Sequence, residues 1–457
     1  MEKGNEETVD SNNSRWKPDS SHLSPEWKLE RLKHVSQVNP SGVDKKSNDD
    51  ELEVELCNYT EVYNNEFIDH SFDFLSATAT EREIHRFELR EGDILFTKDS
   101  EDWEDIGVPA FVSEDLPGVL CGYHLFLSRP DEEVVFPEFL FWALNSRYVA
   151  FQFEGAATGV TRYGLTTRDV ANAWIPYPPK PIQKIIVSYL NYQTRKIDRL
   201  YNQSEKLIQY LNERYSALIT KSISNSQYRN SHTFGEDVGM SVNSDQPKIR
   251  HISKSVTSGP RSWAQYYNES SEAKFLRITN LQDNEIQLDL DDLKYVSPPN
   301  DSEAKRSRVQ PGDILVSITA NIGAVGIVPS DIGEAYVNQH IAVIRPPKSV
   351  LSKWIAYYLA SHRGQYQLLQ PVRGGTKDGL GLADVGNVRV PFPSISTQRS
   401  IVQNLDKERK RLEKLSSELE SLLERLDEQR RALITKAVTG QIDLSDWQPP
   451  DKQETFA

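Results

Sequence analysis

Hydrophobic positions follow three patterns along this chain. Short, dense apolar runs follow a Gly-Asp pair in GDILFT (92–97) and GDILVSI (312–318), and fill HLFLSRP (124–130) and HIAVIRP (340–346). Their density predicts buried strands, with GDIL as a turn leading into each. FPEFLFWALNSR (136–147) and LSKWIAYYLASH (351–362) place apolar residues at helical spacing instead. A third pattern begins at Gln183, where Ile186, Leu190, Gln193, Ile197, Leu200, Ser204, Leu207, Leu211, Arg214 and Leu218 alternate at intervals of four and three. It returns with Ile401, Leu405, Glu408, Leu412, Leu415, Leu419, Leu422, Leu426, Gln429 and Leu433. This is a heptad seam, and it predicts two long helices with leucine-rich cores. The proline stops YPPKP and PFPS precede them.

These patterns repeat. Residues 164–221 match 379–436 at a constant offset of 215, without a gap, from Gly164/Gly379 through Asp169/Asp384, Asn172/Asn387, Pro176/Pro391 and Gln183/Gln398 to ALITK in both copies. An internal duplication organises the whole reading. The expected architecture is α+β: two tandem recognition-type domains separated by two long helices that form an antiparallel coiled coil with pseudo-twofold symmetry. Its parts are an extension without structure (1–23), a first domain (24–179), a first helix (180–224), a polar linker (225–246), a second domain (247–394), a second helix (395–440) and a loose tail (441–457). Chain order favours antiparallel helices, because the second domain follows the end of helix one and leads into the start of helix two. Two such domains on a fixed spacer suit a bipartite target whose halves differ.

Composition changes the picture in one place. The net charge of −14 is concentrated in residues 44–115, where 22 acidic and 6 basic residues give −16 and leave the rest of the chain at +2. The acidity is local to the first domain. Cys57 and Cys121 are too few for a disulfide framework and are expected to be buried thiols. No apolar run is long enough to span a membrane, no signal-peptide core opens the chain, and residence in the cytoplasm is expected. No phosphate-binding G-x-x-x-x-G-K-[ST] loop is present. Ser297-Pro298-Pro299-Asn300 lacks the aromatic residue of an amino-methyltransferase signature, and Asp292 with Glu303-Ala304-Lys305 is only a loose match to a nuclease triad.

Several segments resemble those of one family. REGDILFTKDS, QPGDILVSITANIGAVGIV, EAYVNQHIAVIRP, PIQKIIVSYLNYQTRKIDRL and STQRSIVQNLDKERKRLEKL with RRALITKAVTGQIDL are similar to segments of type I restriction-modification DNA specificity subunits, across about residues 24–445. The resemblance implies a non-catalytic chain that binds double-stranded DNA and directs two copies of an adenine methyltransferase subunit and a translocating restriction subunit. S-adenosylmethionine, ATP and magnesium would belong to those partners, and no cofactor or metal to this chain. The alternative is a protein-interaction scaffold that reads no DNA. In the first copy, acidic DSEDWEDIG replaces the small polar turn that follows GDIL in the second.

The candidate DNA contacts are Lys98, Tyr123, Arg162, Tyr163 and Arg168 in the first domain, and Ser317, Thr319, Asn321, Asn338, Gln339, Arg373, Thr376 and Lys377 in the second. Ser317, Thr319 and Asn321 form either a groove contact or a plain hairpin turn. Asn338 and Gln339 carry groups that read adenine. Tyr123 replaces Gln339 between the copies, whereas His124 matches His340, which favours a scaffold hydrogen bond for the histidines. Arg162, Tyr163 and Arg168, and Arg373 with Gly374, Gly375, Thr376 and Lys377, are basic glycine-bearing loops suited to clamping phosphate or simply to capping the domain. The expected helix–helix core is Ile197, Leu200, Leu207, Leu211, Leu218, Leu412, Leu415, Leu419, Leu422, Leu426 and Leu433.

Overall fold

A computed structural model describes residues 23–449 apart from 26, 227–245, 262, 283–284 and 374–378. Most of the expected N-terminal extension and linker, and tail residues 450–457, therefore lie outside the described residues, as do Gly374, Gly375, Thr376, Lys377 and the Arg373 side chain. The chain divides into two units: Met1–Asn202 with Leu422–Ala457, and Gln203–Ser421. Each combines an α+β domain with part of each long helix.

In the first unit a five-stranded sheet runs in the order Ser36–Pro40, Leu125–Pro130, Ile94–Thr97, Pro109–Val112, Phe67–Ile68. Its pairs are antiparallel except the last, which is parallel. Both faces of this sheet are covered. Ile94 and Phe96 face one core, with Phe126, Phe139, Trp142 and Phe153, whereas Leu95 faces a second, with Leu125, Leu127 and Leu56. Two apolar faces explain why GDILF reads as a continuous run instead of an alternation. Cys57 and Cys121 are register partners on neighbouring parallel strands. Both thiols are buried and free, and burial pushes both up, so they remain protonated.

The second unit repeats the scheme with a four-stranded antiparallel sheet ordered Ser255–Ser258, Ile341–Arg345, Ile314–Ser317, Val325–Ile327. Ile314 and Val316 face one core with Trp354 and Tyr357, and Leu315 faces another with Ile341 and Val343. The Gly-Asp pair is a two-part device in both units. Gly92 and Gly312 turn the chain at φ +87° and +84°, which favours glycine. Asp93 and Asp313, each 2% exposed, then receive a two-pronged ion pair from Arg129 (2.6 and 2.8 Å) and Arg345 (2.6 and 2.8 Å). Those arginines are the Arg-Pro ends of the paired strands. The repeated GDIL and Arg-Pro signals are thus two halves of one internal lock.

The long helices span Lys180–Ser226 (47 residues) and Ile395–Val438 (44 residues), about 70 Å each at helical rise. Within the first unit Ile186, Val187 and Leu190 share a core with Ile434, Ala437 and Val438, and Asp198 meets Arg430. Within the second, Ile219 shares a core with Leu405, and Leu211 faces Leu412 across one cavity. In both units numbering rises along one helix as it falls along the other, so the pairing is antiparallel. The repeated glutamine is buried at the start of each helix. Gln183 bonds to the backbone of Phe136 (2.8 Å) and Pro178 (2.9 Å), and Gln398 to that of Pro393 (2.8 Å).

The seam differs from the expected one. Ile197, Leu211 and Leu426 are buried, and Leu218, Leu412, Leu419, Leu422 and Leu433 are half-buried, but Leu200 (52%), Leu207 (45%) and Leu415 (39%) are exposed. Thr194, Tyr201, Ile208 and Tyr215 take the inner places on the first helix instead. Both phases share Leu190, Ile197, Ser204 and Leu211. A four-three spacing fits the residue one place later equally well, and packing against each domain selects that side. The tail is also tighter than expected: Leu444 is buried and Trp447 stacks edge-on against Tyr189 (5.6 Å).

Candidate nucleic-acid interface

In each unit one histidine holds the loop that follows the central strand. Lys98 N donates to His124 O (2.9 Å), and Leu165 N donates to Lys98 O (2.9 Å). The second unit has the same relay, from Ile318 N to His340 O (2.9 Å) and from Leu380 N to Ile318 O (2.8 Å). The imidazoles reach the next loop residue: His124 Nδ1 lies 2.8 Å from Asp99 Oδ2, and His340 Nδ1 lies 2.6 Å from Thr319 Oγ1. Asp99 and Thr319 are therefore equivalent positions carrying different chemistry.

In the first unit this relay gathers four of the five candidate residues. Lys98 Nζ donates to Tyr123 O (3.1 Å) and sits 4.6 Å from the Tyr123 ring centroid. The Tyr123 ring meets His124 edge-on (4.6 Å). Arg162 donates from Nε to Asp99 Oδ1 (2.8 Å) and again from Nη2 to the same oxygen. Tyr163 and Gly164 pair as strand with Ser100 and Asp99, and with Gly159 and Thr158 on the other side. The hairpin needs glycine at 159: φ is +154°, and a Cβ there would lie 2.0 Å from Arg162 O. At its turn Val160 is 90% exposed. Arg168 is not gathered here. It lies on the helix Thr167–Ala171, which packs against Leu32–Val35 and Ser36–Pro40.

Beside the hairpin the acidic run forms a wall. Tyr59, Tyr63, Asp99, Ser100, Glu101, Asp102, Asp105 and Arg162 line a cavity of about 320 Å³. The two tyrosine rings stack at 5.4 Å. The Tyr63 hydroxyl donates to Asp105, which pushes its pKa up to about 12.

In the second unit Ser317 is fully buried, its hydroxyl accepting from Ala324 N (2.9 Å) and donating to Asn321 O. It shapes the loop and presents nothing outward, so the structure removes it from the groove-contact candidates. Ala320, at φ +55°, carries the turn, and Asn321 is exposed on it. Gln339 donates to His340 Nε2 (2.8 Å), which leaves the Nδ1 proton for Thr319. Asn338 Oδ1 accepts from His340 N (3.1 Å), and its backbone joins Leu276 and Gly259 (3.2 Å each). Thr319, Asn338, Gln339 and His340 thus form one half-buried network. Arg373 ends the helix His362–Arg373.

Sequence reading missed Asp99 as a partner of His124 and Arg162. The signal was its place in the acidic run, one residue after Lys98. The loose nuclease match dissolves: Asp292 pairs with Arg277 (2.7 Å) and Glu303 with Arg306 (3.6 Å) on a surface helix. Among the described residues no group of three His, Cys, Asp or Glu is placed to hold a metal ion, and no helix is long and apolar enough to cross a membrane.

Comparison with known proteins is consistent in direction. The family model described as the type I restriction modification DNA specificity domain matches residues 25–210 and 266–424. The Type I restriction enzyme EcoBI specificity subunit of Escherichia coli is 25% identical over 298 residues, which is 62% of each chain. The EcoKI specificity subunit of E. coli strain K12 is 21% identical over 186 residues, 38% of each chain. These matches span less than two thirds of either relative's length. A solved chain from work on complex assembly and conformational transition of the type I R-M system superposes with a TM-score of 0.63 at 19% identity, covering 92% of this chain and 99% of that one. That likeness shows the fold.

Proposed function

The chain belongs to the type I restriction modification DNA specificity family, and from that premise we propose that it reads a bipartite, asymmetric DNA target, one half with each unit. The observation that carries this reading is the pairing of sameness and difference in the two loops. The lock (Asp93–Arg129, Asp313–Arg345) and the histidine relay recur, while the side chains they present differ: Lys98, Asp99, Tyr123 and Arg162 against Thr319, Asn321, Asn338 and Gln339. A common frame with divergent polar groups on a loop is what two readers of two different half-sites require.

The chain itself supplies binding and no chemistry. Adenine methylation, with S-adenosylmethionine, falls to a methyltransferase partner present in two copies. Cleavage and ATP- and magnesium-dependent translocation fall to a restriction partner. On the long helices the exposed Leu200, Leu207, Tyr210 and Leu415 offer apolar contacts for those partners. The complex works in the cytoplasm, where chromosomal DNA is.

Long-read methylation sequencing of the source cell, with and without this gene, tests the reading. A gapped adenine-methylation motif that disappears on deletion supports it. A gapped motif that persists unchanged overturns it.

A further inference from the structure

We propose that Arg162 is a base-reading residue of the first unit and that it reads a guanine, with Asp99 and His124 as its positioning residues. The inference rests on the DNA-reading role argued above. Two of the three guanidinium nitrogens of Arg162, Nε and Nη2, are fixed on Asp99 Oδ1, and Asp99 is held in turn by His124 at 2.8 Å. The Arg162 side chain is nevertheless 56% exposed, while that of Asp99 is only 15% exposed. The carboxylate therefore acts as a buttress that freezes the fork and aims its outer edge at solvent.

Charge separates a base from a phosphate as the ligand. Arg162 and Asp99 together are neutral, and Glu101, Asp102 and Asp105 stand on the same cavity wall. A phosphate approaching this point meets net negative charge and is repelled. A base edge carries no net charge, and guanine O6 and N7 present the two acceptors that an arginine fork matches in the major groove. The surroundings fit such an approach. Arg162 leaves the turn of a two-stranded hairpin, a shape the major groove admits. The adjacent tip residue, Val160, is apolar and 90% exposed, which suits contact with base edges and wastes nothing on phosphates. The strand pairing of Tyr163 with Ser100 ties the hairpin to the buttress, so both are placed by one piece of backbone.

The test compares methylation motifs written in cells by complexes containing the wild-type chain, R162A, R162K or D99N. The expected result for R162A and R162K is loss of discrimination, about ten- to a hundredfold, at one guanine position of one half-site, with the other half-site intact. D99N should relax the same position more weakly, because it loosens the fork without removing it. With the purified complex, replacing that guanine by 7-deazaguanine should weaken wild-type binding and leave R162A binding unchanged. Loss of all methylation with R162A but full specificity with R162K would mark a charge contact and overturn base reading. Loss of all methylation with both would mark a structural residue and overturn base reading as well. An R162A motif identical to wild type would overturn the proposal and leave DNA reading standing, provided the motif still depends on the gene. A motif independent of the gene would instead overturn the function from which the proposal starts.

Discussion

Trp142 and Tyr357 stand 215 positions apart and fasten each domain to its helix at the same point. Trp142 Nε1 donates to Asn191 Oδ1 (3.1 Å), and the Tyr357 hydroxyl donates to Asp406 Oδ1 (2.7 Å). Asn191 and Asp406 are themselves related by the repeat. The neighbours have diverged further. Next to Trp142 is Arg430, whose Nε binds Asp198 (2.8 Å) and whose Nη2 binds Glu66 (2.5 Å). The matching place beside Tyr357 holds Tyr215, hydroxyl to hydroxyl at 3.2 Å. One junction is an ion triad; the other is a tyrosine pair hydrogen-bonded to Asp406, which also pairs with Lys353 (2.6 Å).

The first prediction follows from that triad. Replacing Arg430 by Met should destabilise the first unit by about 2 kcal/mol, below the 3–5 kcal/mol of a fully buried pair because Glu66 and Asp198 keep partial access to water. Adding Glu66→Gln should recover part of the loss, since it removes one stranded carboxylate. Denaturant titration, with hydrogen exchange over 137–144 to locate the change, checks both.

The second concerns the helices. Leu190 is fully buried and Leu200 is half-exposed, although the leucine pattern alone assigns both to the core. Leu190→Asp should cost several kcal/mol and unfold the first unit, because an unpaired charge enters the core. Leu200→Asp should change stability by less than about 0.5 kcal/mol and should weaken capture of the methyltransferase subunit. Thermal melts of the isolated chain and a pull-down with purified partner separate the two effects. A destabilised Leu200→Asp chain would return that residue to the core.

What the sequence made legible was whatever had to be repeated or continuous. The offset of 215, the buried strands and the two long helices all leave periodic traces, because a strand covered on both faces has no polar alternation and a long helix has a seam. Gln183 and Gln398 could be matched in sequence, but their hydrogen bonds to Phe136, Pro178 and Pro393 could not be guessed. The phase of the seam was illegible, since Thr194 and Tyr215 carry no leucine signal. The Asp99–His124–Arg162 chain was illegible too, because its members lie 25 to 63 positions apart and meet only through strand pairing.

The acidic wall beside Arg162 gives the third prediction. Glu101→Gln with Asp102→Asn removes two like charges from a surface proposed to approach DNA. Affinity for non-specific duplex should rise severalfold at about 50 mM salt, and the gain should shrink as added salt shortens the Debye length to a few ångströms. Fluorescence anisotropy with an unrelated duplex across a salt series measures this. An unchanged affinity at low salt would place the wall away from the DNA.

A fourth prediction concerns Glu285, where the second domain meets its helices. Its Oε2 makes no hydrogen bond, and the nearest cation, Arg409 Nη1, is 3.8 Å away and is already engaged by Glu413. Burial raises the Glu285 pKa, Arg409 offsets this in part, and Glu413 adds to the rise. A raised carboxylate makes the folded state bind its proton more tightly than the unfolded chain does. The contribution of Glu285 is thus most favourable below the ordinary carboxylate range. It is lost as pH climbs from the unfolded value through the folded one, because the unfolded chain ionises first. Glu285→Gln carries no charge at any pH and should lack this slope. The variant should match wild type near pH 4 and exceed it at neutral pH by less than about 1 kcal/mol. Paired urea titrations at the two pH values, followed through the second unit, decide it. A variant that is less stable at neutral pH would mean that the ion pair with Arg409 outweighs the desolvation of the carboxylate.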